Sequence, residues 1–138
     1  MKKTVFLLLI ISTISCSNNP KSFIEHLDGY WEIDEVTLPD GSKRDYNYNA
    51  SIDYIKTTDS LIGYRTKLKP NFDGSYSTSN DTETFKAVIE NDSLQLYYTT
   101  PFSKWKETVL NATEDQLLIQ NEQKIRYLYK HYEPLDIK

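Results

Sequence analysis

Along residues 30–132 apolar and polar positions alternate in short runs separated by turn-forming residues. Ile62, Tyr64, Thr66 and Leu68 share one face of an extended segment; so do Phe85, Ala87 and Ile89, and then Leu94, Leu96 and Tyr98. The positions between them, Gly63, Arg65 and Lys67 in the first run and Lys86, Val88 and Glu90 in the second, are mostly polar. Successive side chains of a strand point to opposite faces, so this period of two predicts strands with one dry face and one wet face. Strands are expected at 30–38, 51–57, 61–69, 74–79, 82–90, 93–100, 104–111, 116–121 and 124–132. The joining stretches PDG, TTDS, PNFDG, SND, ND, NATED and NEQ carry turn chemistry and are too short for parallel crossovers, which makes the arrangement an antiparallel meander. A sheet of this length with one apolar face must close on itself or fold double, since a flat one leaves bare apolar surface and two free edges. The expected fold class is all-β, an antiparallel up-and-down β-barrel of about eight to nine strands, with a β-sandwich compatible with the same pattern.

Composition agrees with strands: eleven tyrosines, five phenylalanines and two tryptophans accompany many Thr, Val and Ile, with only four glycines. A chain of 138 residues has room for one core and not two. Its net charge of −4 disfavours a nucleic-acid partner, which would require a basic stripe to neutralise phosphates.

The N-terminus breaks the alternation. Lys2 and Lys3 precede an apolar run over 5–11 and then small or polar residues up to Cys16, the n-, h- and cleavage regions of a removable secretory signal. The run is too short to span a bilayer, which takes roughly 20 apolar residues. Ile14, Ser15 and Cys16 resemble the end of a bacterial lipobox, with Thr13 departing from the usual leucine. The resemblance implies that Cys16, the sole cysteine, is a lipid attachment point, and that Ser17 after it directs the protein to the outer membrane of the bacterial envelope. Residues 1–15 are then a removed signal, 16–22 the lipidated cysteine and a short polar tether, and 23–138 the folded domain. The membrane is reached through this anchor.

At the first strand the sequence reads FIEHLDGYWEI. Gly29 and Trp31 form a G-x-W, preceded over 22–27 by a segment able to make a short helix with Phe23, Ile24 and Leu27 turned inward. With the nine strands and a long first loop over 39–50, this resembles the lipocalins and their calycin relatives, and among them the small lipocalin-like lipoproteins of bacteria, over 23–132. The resemblance implies that the short helix closes the barrel bottom, that Trp31 packs under the cavity, and that an arginine from the last strand stacks on it. Arg126 is the nearest arginine, but Ile125, Tyr127 and Tyr129 occupy the inward alternation and turn it outward. In the first strand Trp31 and Ile33 disagree in face with Val36 and Leu38, which predicts a bulge near Asp34 or Glu35; without one, Glu35 is an acid inside the cavity.

In such a fold the inward side chains set the function. The candidates for ligand contact are Trp31, Tyr64, Tyr76, Phe85, Tyr98, Trp105, Tyr127 and Tyr129, with Lys104 and Lys106 pointing away from the interior on either side of Trp105. Eight strands enclose either a packed core or one small ligand. These bulky residues fit a narrow aromatic pocket and equally a nearly filled core; the leading expectation is a small apolar ligand bound in the barrel, and the alternative is a filled barrel whose rim binds another protein, as an envelope subunit or an inhibitor. Tyr46 and Tyr48 lie in the long loop beside the mouth. No enzyme is expected: His26 and His131 are the two histidines, neither in a metal-binding spacing, and no nucleophile elbow, P-loop or paired-carboxylate signature occurs. No metal or cofactor is expected either.

Overall fold

The structure, a computed structural model, describes residues 18–134; Cys16 and residues 1–15, expected to be a signal, lie outside the described residues. Asn19 caps a single helical turn, α1 (Pro20–Phe23), accepting from the Lys21 amide, with Pro20 at a position where its missing N–H costs nothing. A 3-10 turn (Ile24–His26) continues it. The helix therefore begins inside the stretch expected to be tether. Phe23 and Leu27 are buried and Ile24 packs against them, and α1 lies against the β6 and β7 strands defined below, as a plug.

Nine strands follow: β1 (Gly29–Thr37), β2 (Lys43–Asp45), β3 (Ile52–Thr57), β4 (Ile62–Pro70), β5 (Tyr76–Glu90), β6 (Ser93–Thr99), β7 (Lys104–Ala112), β8 (Gln116–Asn121) and β9 (Arg126–His131). All pairings are antiparallel, consecutive strands are neighbours from β3 to β9, and β1 pairs with β3 on one side and β9 on the other. The result is a closed eight-stranded barrel, with β2 added along the far end of β1. The up-and-down barrel, and not the sandwich, is the fold. The expected strands 74–79 and 82–90 are one bent strand, β5, in which Asn80 takes a left-handed conformation (φ 63°) where the register shifts against β4. The loop 39–50 contains a strand of its own. At the ND turn, Asn91 and Asp92 both have positive φ, as a two-residue hairpin turn requires.

The bulge in β1 falls where the alternation demands it: the register shifts between Ile33 and Glu35, so that Ile33 opposes Tyr129 and Val36 opposes Tyr127 on the same inner face. Glu35 stays outside, paired with Lys43 at 3.0 Å. Gly29 also has a reason. Its φ of +145° is open to glycine, and a β-carbon there would lie 3.0 Å from the His131 ring. That ring stacks on Trp31, centroids 4.0 Å apart, while the Trp31 indole N–H donates to the Leu27 carbonyl at 2.9 Å. The stacking partner of Trp31 is thus His131; Arg126 is exposed and donates to Gln120.

Candidate functional site

Much of the barrel interior is packed. Trp31, Leu94, Leu96, Leu117 and Ile119 expose essentially nothing, and Phe85 and Tyr98 1% each. A wall with no surface open to water has no space beside it for a ligand. Phe85 and Tyr98 lie 5.3 Å apart by centroid, and Tyr98 stacks on Trp105 at 5.1 Å and 6°. Trp105 points inward with Lys104 and Lys106 exposed, as the alternation indicates. Tyr127 and Tyr129 also face the core.

The interior also carries charge. The inner face of β4 carries Gly63, Arg65 and Lys67, and its outer face carries Ile62, Tyr64, Thr66 and Leu68, the reverse of the expected assignment. Gly63 opposes Phe85 in the ladder, and a β-carbon on it would run into the Phe85 ring and lie 2.7 Å from the Lys56 carbonyl oxygen. Only a residue without a side chain lets that ring cross the narrow barrel, and this sets the face of the strand. Arg65 follows inward, bonded to Glu83 at 3.1 Å and Glu107 at 3.1 Å, with its guanidinium 4.8 Å from the Tyr98 ring centroid. Burial opposes its charge, yet Tyr98 and the Glu107 carboxylate beside it hold the pKa well above the ordinary value. Lys67 reaches the buried Asp53 at 3.5 Å. Burial likewise pushes the Tyr98 phenol up, and its hydroxyl has no hydrogen-bond partner. Among the described residues no group of three or more His, Cys, Asp or Glu is placed to hold a metal, and no helix is long and apolar enough to cross a membrane.

Tyr64 and Tyr76, expected inside, lie on the outer face. Tyr64 is 37% exposed and meets Tyr54 edge-on at 6.1 Å. Tyr76 belongs to the end of the β4–β5 hairpin, which curls over the outside of β1: its ring stacks on Tyr30 at 5.2 Å and stands at 70° to Tyr132, centroids 6.5 Å apart. Tyr30 in turn meets Tyr54 at 4.8 Å. This outer tyrosine layer explains the mistaken face of β4, since Tyr64 and Leu68 are apolar enough to suggest a core.

Between the curled hairpin, the loop before β3 and the segment after β9 lies a recess of about 490 Å³. Tyr76 and Tyr132 form one corner, Tyr48 and Phe72 its entrance, and Glu32, Lys69 and Glu133 its charged groups. Burial pushes the Tyr76 phenol above its ordinary value. Sequence reading placed Tyr48 near the mouth but brought neither Tyr132 nor Phe72 to it. A second hollow of about 390 Å³ lies at the rim, between Leu38, Pro39 and the β8–β9 turn.

A family profile described as "Lipocalin-like domain" matches residues 27–119. The chain belongs to this lipocalin-like family. Among solved structures, a lipocalin-like protein from Bacteroides uniformis is 11% identical, with a TM-score of 0.48 over 78% of this chain and 99% of the other. An uncharacterized protein from Bacteroides eggerthii is 13% identical, also with a TM-score of 0.48, over 77% of this chain and 99% of that one. Comparison with curated proteins gives no match. In this lipocalin-like barrel the axis, where a ligand was expected, is occupied by Phe85, Tyr98 and Trp31, and a hollow of about 490 Å³ lies on the flank.

Proposed function

We propose that the protein is a lipid-anchored binding protein of the bacterial envelope, held to the outer membrane through Cys16, that takes a small ligand in the flank recess and uses its filled barrel as a rigid support. The observation that carries this reading is the recess itself: about 490 Å³, within the range typical of small-molecule sites, with aromatic walls and a few polar groups. The plug helix enters at the closed end, so a short tether would set that end toward the membrane and turn the mouth outward. The recess is built from the hairpin tip, the loop before β3 and the segment after β9, on the outside of the barrel. Gentle purification of the full chain followed by native and denaturing mass spectrometry tests the reading. Extra mass lost on denaturation is expected, and it should be absent from Tyr76→Leu but retained in Phe85→Leu. The opposite pattern would return the ligand to the axis.

A second reading has one specific observation behind it. Phe102 is 97% exposed in the β6–β7 turn at the mouth. A bare aromatic ring on a loop tip suits contact with another envelope protein, and a filled barrel is compatible with that role. A clean native mass together with a crosslink from position 102 would favour it.

A further inference from the structure

We infer that the flank recess recognises an organic cation, an alkylammonium or quaternary ammonium group. The inference rests on the reading that this recess holds the ligand, and it names the ligand's chemistry. Tyr76 and Tyr132 meet at 70° with centroids 6.5 Å apart. In this edge-on pair a cation seated in the recess meets the negative face of one ring within the ~6 Å reach of a cation–π contact. Tyr76 is fixed in place by stacking on Tyr30 at 5.2 Å, so that wall is preorganised. Tyr48 and Phe72, 83% and 94% exposed, add two more aromatic rings to the lining. Glu32 and Glu133 line the recess with Lys69, and Lys130 Nζ lies 3.9 Å from Glu32, so Glu133 and the chain's net charge of −4 are what favour a cation there.

Calorimetric titration of the full chain in an uncharged detergent tests this with choline and with its neutral tert-butyl analogue, in which carbon replaces nitrogen. Choline should saturate one site, and the neutral analogue should bind about tenfold more weakly or worse, the difference a desolvated cation–π pair makes. Tyr132→Leu should weaken choline about tenfold. Glu133→Gln, on an exposed side chain that the fold does not need, should weaken it about two- to fivefold, as loss of an exposed ion pair does. If the neutral analogue binds as tightly and Tyr132→Leu weakens both, the recess stands and the cation inference fails. If choline binds and neither substitution matters, the recess reading fails. No saturable heat with choline overturns the inference.

Discussion

Gly63 has no room for a β-carbon, and that absence decides where Arg65 points. Gly63→Ala should cost about 1–3 kcal/mol by overpacking against Phe85 and the Lys56 carbonyl, measured as a loss in urea midpoint. Arg65 is then committed to the interior, where removing it leaves Glu107 buried beside Tyr98. Arg65→Met should destabilise by about 3–5 kcal/mol, and adding Glu107→Leu should recover most of it, because a buried pair replaced by apolar groups is often neutral. Tyr98→Phe should be neutral or slightly stabilising in the same assay, since the hydroxyl it removes has no partner. Asp28 provides the pH signature. Burial raises its pKa, but hydrogen bonds from Lys56 Nζ at 2.7 Å and from the Thr57 hydroxyl and amide at 2.6 and 2.7 Å outweigh this and hold the carboxyl below its ordinary 3.8. A depressed folded pKa stabilises above the unfolded value and is lost as pH falls through the folded one. Asp28→Ala should therefore cost about 1–2 kcal/mol at neutral pH, with the difference from the parent chain shrinking once the pH drops below 3.8.

The elements were legible wherever hydrophobicity and packing agree. The Leu94–Leu96–Tyr98 and Phe85–Ala87 faces, the inward Trp105, Tyr127 and Tyr129, and the bulge in β1 all follow from alternation, because in those strands the buried face is also the more apolar one. β4 was not legible by that rule. Its outer face is covered by a tyrosine layer and its inner face carries a glycine and an arginine, so hydrophobicity pointed the wrong way. The one signal available was Gly63 itself, since a glycine inside a strand marks a close approach. The recess was harder still to read. Tyr30, Tyr76 and Tyr132 come together only because the β4–β5 hairpin curls back over β1 after the irregularity at residues 79–81, and no local pattern specifies that curl. His131 on Trp31 has the same character, a stacking partner found through the β1–β9 closure and not through spacing.

At the scale of the whole molecule, an eight-stranded barrel stands near the limit at which side chains alone fill the interior. Here Phe85, Tyr98, Trp105 and Trp31 pack the axis, and Arg65 with its ion pairs lies against them. On our proposal the barrel is not a cup and serves as a stiff base for a site built outside it. The most direct test is an amide NMR titration of the chain from Ser17 onward with a fatty acid of medium length. With the axis closed, resonances of Phe85, Ala87, Leu96 and Tyr98 should stay in place throughout. Stoichiometric, saturable shifts at those four residues would mean that the barrel opens to an axial ligand, and would contradict the account.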